Sequence, residues 1–142
     1  GSPVPADMTE IRSQTVQVGA SADELRMHLL DLKNLEPLLP QDKVKRFAGT
    51  SEQVSFKIQG GLEIRLTRTA STFQDGVLRL QGGGAPFEFH LDLQVKEDGD
   101  GAEASVVCQA DLNPFMRMMA QKPLESLFRH IADQVEEKFG QN

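Results

Sequence analysis

Residues 16–40 read VQVGASADELRMHLLDLKNLEPLLP, and most of what decides the fold lies in them. Val16-Gln17-Val18 ends a strand: Glu10 to Val18 is rich in Thr, Val and Gln, which suits a pleated, half-buried ribbon. Ser21 follows, with Glu24 three residues on. That is the spacing of a capping box, in which each residue's side chain satisfies a backbone N–H of the other. Leu25, Leu29 and Leu32 then recur at helical spacing. Asn34 is placed to cap a second short helix carrying Leu35, Leu38 and Leu39. Pro37 fits its first turn and Pro40 ends it.

Outward from this stretch the period changes from helical to two. Val54, Phe56 and Ile58 alternate with Ser55, Lys57 and Gln59, and Gly60-Gly61 is a tight-turn signal. Leu62, Ile64 and Leu66 alternate with Glu63, Arg65 and Thr67; Asp75-Gly76 announces another hairpin before Val77 to Leu80. Phe87 through Val95 alternates without a fault, Asp98 to Gly101 turns the chain, and Ala102 to Leu112 keeps one apolar parity. Such alternation implies an antiparallel sheet with one apolar and one wet face. Asn113-Pro114 then opens a long helix, expected to run to about Phe139 with Gly140 as its stop. Pro123 predicts a kink or break near Met119 to Pro123.

Composition narrows the function classes. The chain has 142 residues, one domain's worth, with 39% hydrophobic and 25% charged residues. Its net charge of −6 argues against nucleic acid as a partner, because phosphate binding needs clustered Lys and Arg. No stretch approaches the ~20 apolar residues of a membrane span. The single cysteine, Cys108, has no partner for an internal disulfide, which fits a reducing, cytoplasmic location. Eight Phe with no Tyr and no Trp leave a pocket without phenol or indole donors, a composition suited to apolar contents. Gly1 to Asp7 carries no periodic pattern and Gly1-Ser2 has the look of an expression remnant. Residues 1–8 are therefore read as a tag or disordered terminus, and residues 9–140 as the domain.

The order strand, two short helices, six hairpin-linked strands and a long C-terminal helix resembles the START-like helix-grip superfamily, which includes polyketide cyclase-like and pollen-allergen-like (SRPBCC-type) proteins. The resemblance rests on the small-residue turn and acidic residues before the first helix, then Asp31, Leu35 and Pro40, and it spans Ile11 to Phe139. It implies an α+β fold in which a seven-stranded antiparallel sheet wraps around the long helix over a cavity. Members bind lipids, sterols, polyketides or hormones, and some are cyclases or dehydratases, so the fold leaves the function open.

The expected site is the apolar lining of that cavity. From the strands it comprises Phe56, Ile58, Leu66 and Leu80, then Phe87, Phe89 and Leu91, then Val106 and Cys108; from the helix, Met119, Leu127, Phe128 and Ile131. The competing expectation is that these side chains meet and fill the core, since each residual void costs about 24 cal/mol per Å³. Binding of a small hydrophobic or amphipathic molecule is the leading reading. A cyclase or dehydratase is the second, and it needs an acid or base in the cavity. None lies on an inward parity, so Arg65, Lys57 or His130 would have to turn inward, and no catalytic residue is assigned. A protein-interaction module using Phe115, Met116, Met118 and Met119 is the third.

Other motifs read blandly. Glu88, His90 and Asp92 form a row on a solvated face and do not converge as metal ligands do. Gly82-Gly83-Gly84 lacks the Lys-Ser/Thr of a phosphate loop and is expected to be a flexible hairpin loop. Asp98 to Gly101 lacks the ligand spacing of a calcium loop. Cys108 has the parity of a small core residue, and no cofactor or metal is expected. The long helix mixes Arg117, Lys122, Arg129 and Lys138 with Glu125, Asp133, Glu136 and Glu137, a pattern that suits water better than an anionic membrane. The sequence leaves ligand identity and oligomeric state open.

Overall fold

The computed structural model describes residues 8–140; residues 1–7, read above as a tag or disordered terminus, lie outside the described part. Met8, set outside the domain on sequence grounds, is the first residue of β1, Met8–Arg12. The expected single strand from Glu10 to Val18 is two, β1 and β2, Val16–Val18, and both pair antiparallel with β8, Gly101–Asp111. The break is made by Ser13, which is buried. Its N–H donates to the Val106 carbonyl at 2.8 Å, and its Oγ accepts from the Val106 N–H at 2.9 Å. The hydroxyl takes the place of a ladder carbonyl, so the strand can bend without leaving a buried donor unpaired.

Helix α1, Ala22–Leu30, begins as its capping residue dictates, with Ser21 Oγ accepting from the Glu24 N–H at 3.1 Å. The second helix is a 3-10 helix, Leu32–Leu38, and its cap is Asp31, whose carboxylate accepts from the Lys33 N–H at 3.0 Å. Asn34, expected in that role, instead donates from Nδ2 to the His28 carbonyl at 2.9 Å and closes the end of α1. Three residues per turn place Leu32, Leu35 and Leu38 on one line, and all three are buried.

The sheet continues as β3, Lys45–Gly49; β4, Gln53–Lys57; β5, Glu63–Arg68; β6, Val77–Gly83; and β7, Phe89–Asp98. The strand order is β1-β8-β7-β6-β5-β4-β3, with β2 also on β8, and every pairing is antiparallel. Gly82 and Gly83, expected in a flexible loop, belong to β6 and pair with Leu66 and Arg65. Gly82 lies opposite inward-facing Leu66, and a Cβ there would come within 2.5 Å of the Phe89 ring. The absent side chain lets the aromatic ring lie on the strand.

Helix α2, Pro114–Phe139, starts where Asn113 Oδ1 accepts from the Met116 N–H at 2.8 Å. It runs unbroken through Pro123, against the expected break. The carbonyl that proline leaves without a helical partner belongs to Met119, on the exposed side of the helix. Its buried stripe, Leu124, Leu127, Phe128, Ile131 and Val135, faces the apolar side of the sheet. The C-terminal half is pinned. The Phe139 carbonyl accepts from the Gly19 and Ala20 N–H groups at 2.9 and 3.2 Å, and Gln14 Nε2 donates to Asp133 Oδ1 at 2.7 Å. The guanidinium of Arg26 donates to the Val95 carbonyl at 2.8 Å and that of Arg68 to the Leu30 carbonyl at 2.6 Å, tying α1 to the sheet.

The outer face of the sheet is less uniformly wet than alternation implies. Asp92 is buried and takes a two-pronged pair from Arg79, opposite it on β6, at 2.8 and 2.9 Å. His90 is half-buried beside them, and its Nε2 is shielded without a hydrogen-bond partner. Burial, then the charge of Arg79, hold its pKa below the ordinary 6.5 against the pull of Asp92. His28, edge-on to the Phe139 ring at 5.0 Å, is lowered by burial and Lys138 against Asp31.

Two outcomes follow from these contacts. Both imidazoles take up protons more readily in the unfolded chain, so stability is complete above pH 6.5 and falls as the pH drops through it. Urea denaturation at a series of pH values measures this, and the slope flattens in His90→Gln. Gly82→Ala drives a methyl into the Phe89 ring and costs roughly 1–3 kcal/mol, read as a lower denaturation midpoint.

Candidate functional site

The space between the sheet and α2 is closed at its centre. Phe56, Ile64 and Leu66 from β4 and β5, Phe89, Leu91 and Leu93 from β7, and Leu124, Leu127, Phe128 and Ile131 from α2 surround a void of only about 20 Å³. Leu35 and Leu39 complete its wall. A void of that size holds at most one water, and an apolar lining gives water nothing to bind. Every side chain on this wall is apolar, so proton transfer has no acid or base there.

Of the lining residues expected from the sequence, Phe56, Leu66, Phe89, Leu91, Leu127, Phe128 and Ile131 do converge on this void. The others do not. Leu80 and Cys108 are fully buried and border neither this void nor the grooves and crevices described below. Ile58 borders a separate crevice with Pro40, Lys43 and Pro123, and Val106 a small gap under Ala132 and Val135. Phe87 precedes β7 and sits half-buried, its ring 5.7 Å from that of Phe89. Met119 is 59% exposed and lies outside the core. For Cys108, burial and then the charge of Asp92 push the thiol up to about 12, which makes it an unreactive packing residue.

The open space lies at one end of the sheet. A groove of about 530 Å³ runs between the β4–β5 hairpin and the head of α2. The helix contributes Phe115, Met116, Met119, Ala120 and Pro123, and Leu62 and Pro86 face them. Lys57, Gln59 and Glu63 supply its polar groups, with Lys57 and Glu63 directly opposite each other in the ladder. The hairpin turns tightly because Gly60 and Gly61 adopt φ of +90° and +82°, which side chains disfavour. Leu35, Leu39, Ile64, Leu93 and Leu124 on the void, and Leu62 and Pro86 on the groove, were not in the expected lining. Alternation marked Leu62, Ile64 and Leu93 as inward residues, but which of them meet depends on the sheet's closure over the helix.

A second open groove of about 710 Å³ lies beside α1, lined by Met27, Leu30 and Phe73 with Asp23, Arg26 and Asp75. Arg26 is already committed there, to the Val95 carbonyl and to Asp23 at 3.6 Å. The groove under α2 has the larger apolar wall and polar groups that no described ion pair engages.

No helix among the described residues is long and apolar enough to cross a membrane. The sequence matches no family model and no curated protein. Solved structures do match over nearly the whole chain. The protein XoxI from Bacillus cereus superposes with a TM-score of 0.70 at 12% identity, covering 93% of this chain and 94% of its own. A START superfamily protein from Mycobacterium smegmatis gives 0.62 at 16%, covering 92% and 98%. Norcoclaurine synthase from Thalictrum flavum gives 0.62 at 16%, covering 96% and 94%. With an antiparallel sheet wrapped on a long C-terminal helix and these neighbours, the chain has the START-like helix-grip fold.

Proposed function

We propose that this protein binds a small amphipathic molecule in the groove between the β4–β5 hairpin and the head of α2. The observation that carries this reading is the groove itself. At about 530 Å³ it falls within the range of small-molecule sites, and it joins a broad apolar wall to a few polar groups at one edge. The apolar part of the ligand lies against Leu62, Phe115, Met116 and Met119. Its polar part is met by Lys57, Gln59 and Glu63. Methionine suits this wall because an unbranched thioether re-packs around ligands of different outline.

The sequence-level expectation put the ligand deeper, between sheet and helix. The void there is too small to hold one without moving leucine and phenylalanine side chains that are already packed. The groove begins one helical turn away, where Ala120 and Pro123 give way to Leu124 and Leu127. The enzyme reading finds no acid or base around the void.

A fluorescent amphipathic probe, 8-anilinonaphthalene-1-sulfonate, tests the reading. It should bind one per chain, and Met119→Gln should weaken binding by roughly five- to tenfold through lost apolar contact. Because Met119 is exposed, stability should hold. Saturable binding that neither Met119→Gln nor Lys57→Gln changes would remove the groove as the site.

A further inference from the structure

We infer that the outer face of the α2 head docks on an anionic lipid surface. Phe115, Met118 and Met119 are 63, 79 and 59% exposed; among the described residues the one other exposed large apolar side chain is Met27, which stands singly. At positions i, i+3 and i+4 they form one helical stripe, and Lys122 continues it at i+7. The buried stripe of α2 points the other way, so the first turns of the helix are apolar on both sides. Below Lys122 the outward positions become polar, with Glu125, Ser126 and Arg129. The mixed charge seen along the whole helix therefore belongs to its pinned half.

The charge around this stripe is opposite to that of the protein. The chain carries −6, yet residues 112–124 contain Arg117 and Lys122 and no acid. Residues 43–50 contain Lys43, Lys45 and Arg46 and no acid. Structure brings the two segments together: Lys43 and Pro123 border one crevice, and Lys57 and Met119 border one groove. Lys45 and Lys57 stand directly opposite each other across β3 and β4, where like charges destabilise the ladder. None of Lys43, Lys45, Lys57 and Lys122 pairs with a described carboxylate within 4.0 Å. The acids near these segments include Asp42 before the loop, Glu63 opposite Lys57, Glu125 one turn below Lys122, and Asp111, two residues before the cap of α2, with Glu88, whose carbonyl accepts from the Asp111 N–H.

A cationic rim around a projecting Phe-Met-Met stripe is the pattern of an interfacial helix, with apolar side chains entering the acyl boundary and lysines at the phosphates. The three side chains expose on the order of a few hundred Å². That is well short of the ~800 Å² each partner contributes to a stable protein interface, whereas lipid insertion has no such minimum. The stripe also edges the proposed groove, which would then open onto the lipid. Docking and ligand capture stay separable, because Met118 and Lys122 do not line the groove.

The absence of native Trp and Tyr gives a clean reporter. Met118→Trp should show a blue-shifted emission with phosphatidylcholine vesicles containing phosphatidylglycerol, and little shift with phosphatidylcholine alone. Salt should reverse it. Adding Lys122→Glu should weaken binding by fivefold or more. In the otherwise native chain, Met118→Ser with Lys122→Gln should abolish co-sedimentation with the same vesicles while leaving the denaturation midpoint unchanged. Absence of a shift on anionic vesicles, equal binding to both compositions, or a concentration-dependent dimer that buries residue 118 would overturn the inference. Probe binding that neither Met119→Gln nor Lys57→Gln changes, with vesicle binding intact, would count against the groove and leave the docking face standing.

Discussion

The seating of α2 on the sheet is the contact on which the other features depend. Its buried stripe removes Leu124, Leu127, Phe128, Ile131 and Val135 from water, at about 1.5–3 kcal/mol each. The helix is not held evenly along its length. Its last carbonyl is capped by the Gly19 and Ala20 N–H groups, and Gln14 reaches Asp133, so the anchored half is the C-terminal one. That half packs on β1, β2 and β8, at one end of the strand order, while the head extends over the hairpin at the other end. An interior closed at its centre and open at one end follows from that asymmetry.

The closure itself comes from the 3-10 helix. An α-helix of the same residues would spread its leucines around an arc. The tighter winding instead aligns Leu32, Leu35 and Leu38 as a ridge, and Leu39 follows past its end. Leu35 from this ridge and Leu39 beyond it form part of the wall of the small void between sheet and helix. Asp31 makes this possible by capping the 3-10 turn directly after α1, while Arg68 and Asn34 take the last α1 carbonyls. The protein therefore has a full core without a ligand, which is why the proposed site lies at the periphery.

Much of the architecture could be read in the sequence because it is written in short-range chemistry. Ser21, Asn113 and Gly60-Gly61 act on neighbours a few residues away, and strict alternation from Phe89 to Val95 settles which face is apolar. The misreadings occur where a distant partner decides. Ser13 breaks a strand because the Val106 N–H is there to donate to its hydroxyl, and Gly82 is a strand residue because Phe89 needs its surface. Pro123 suggested a break, but the free carbonyl falls on the exposed side and the helix continues. The site was legible only in part for the same reason. Parity identifies inward residues, yet Leu80 and Cys108 share a parity with Leu91 without sharing a cavity.

The division between core and groove has a consequence for how this fold tolerates change. Residues around the void are fully packed, so a loss of volume there is a loss of stability, as large-to-small substitutions in cores generally are. Phe115, Met118 and Met119 make almost no contribution to that packing, because they point away from it. Their side chains are free to change without endangering the fold, and an apolar stripe left in water has no folding role that would maintain it. Soluble surfaces normally replace such side chains with polar ones, which carry no solubility penalty. A stripe of Phe, Met and Met beside lysines that no described carboxylate pairs is thus consistent with the proposed contact outside the molecule. Stability resides in the pinned half of α2, and the proposed binding surfaces in the half that overhangs.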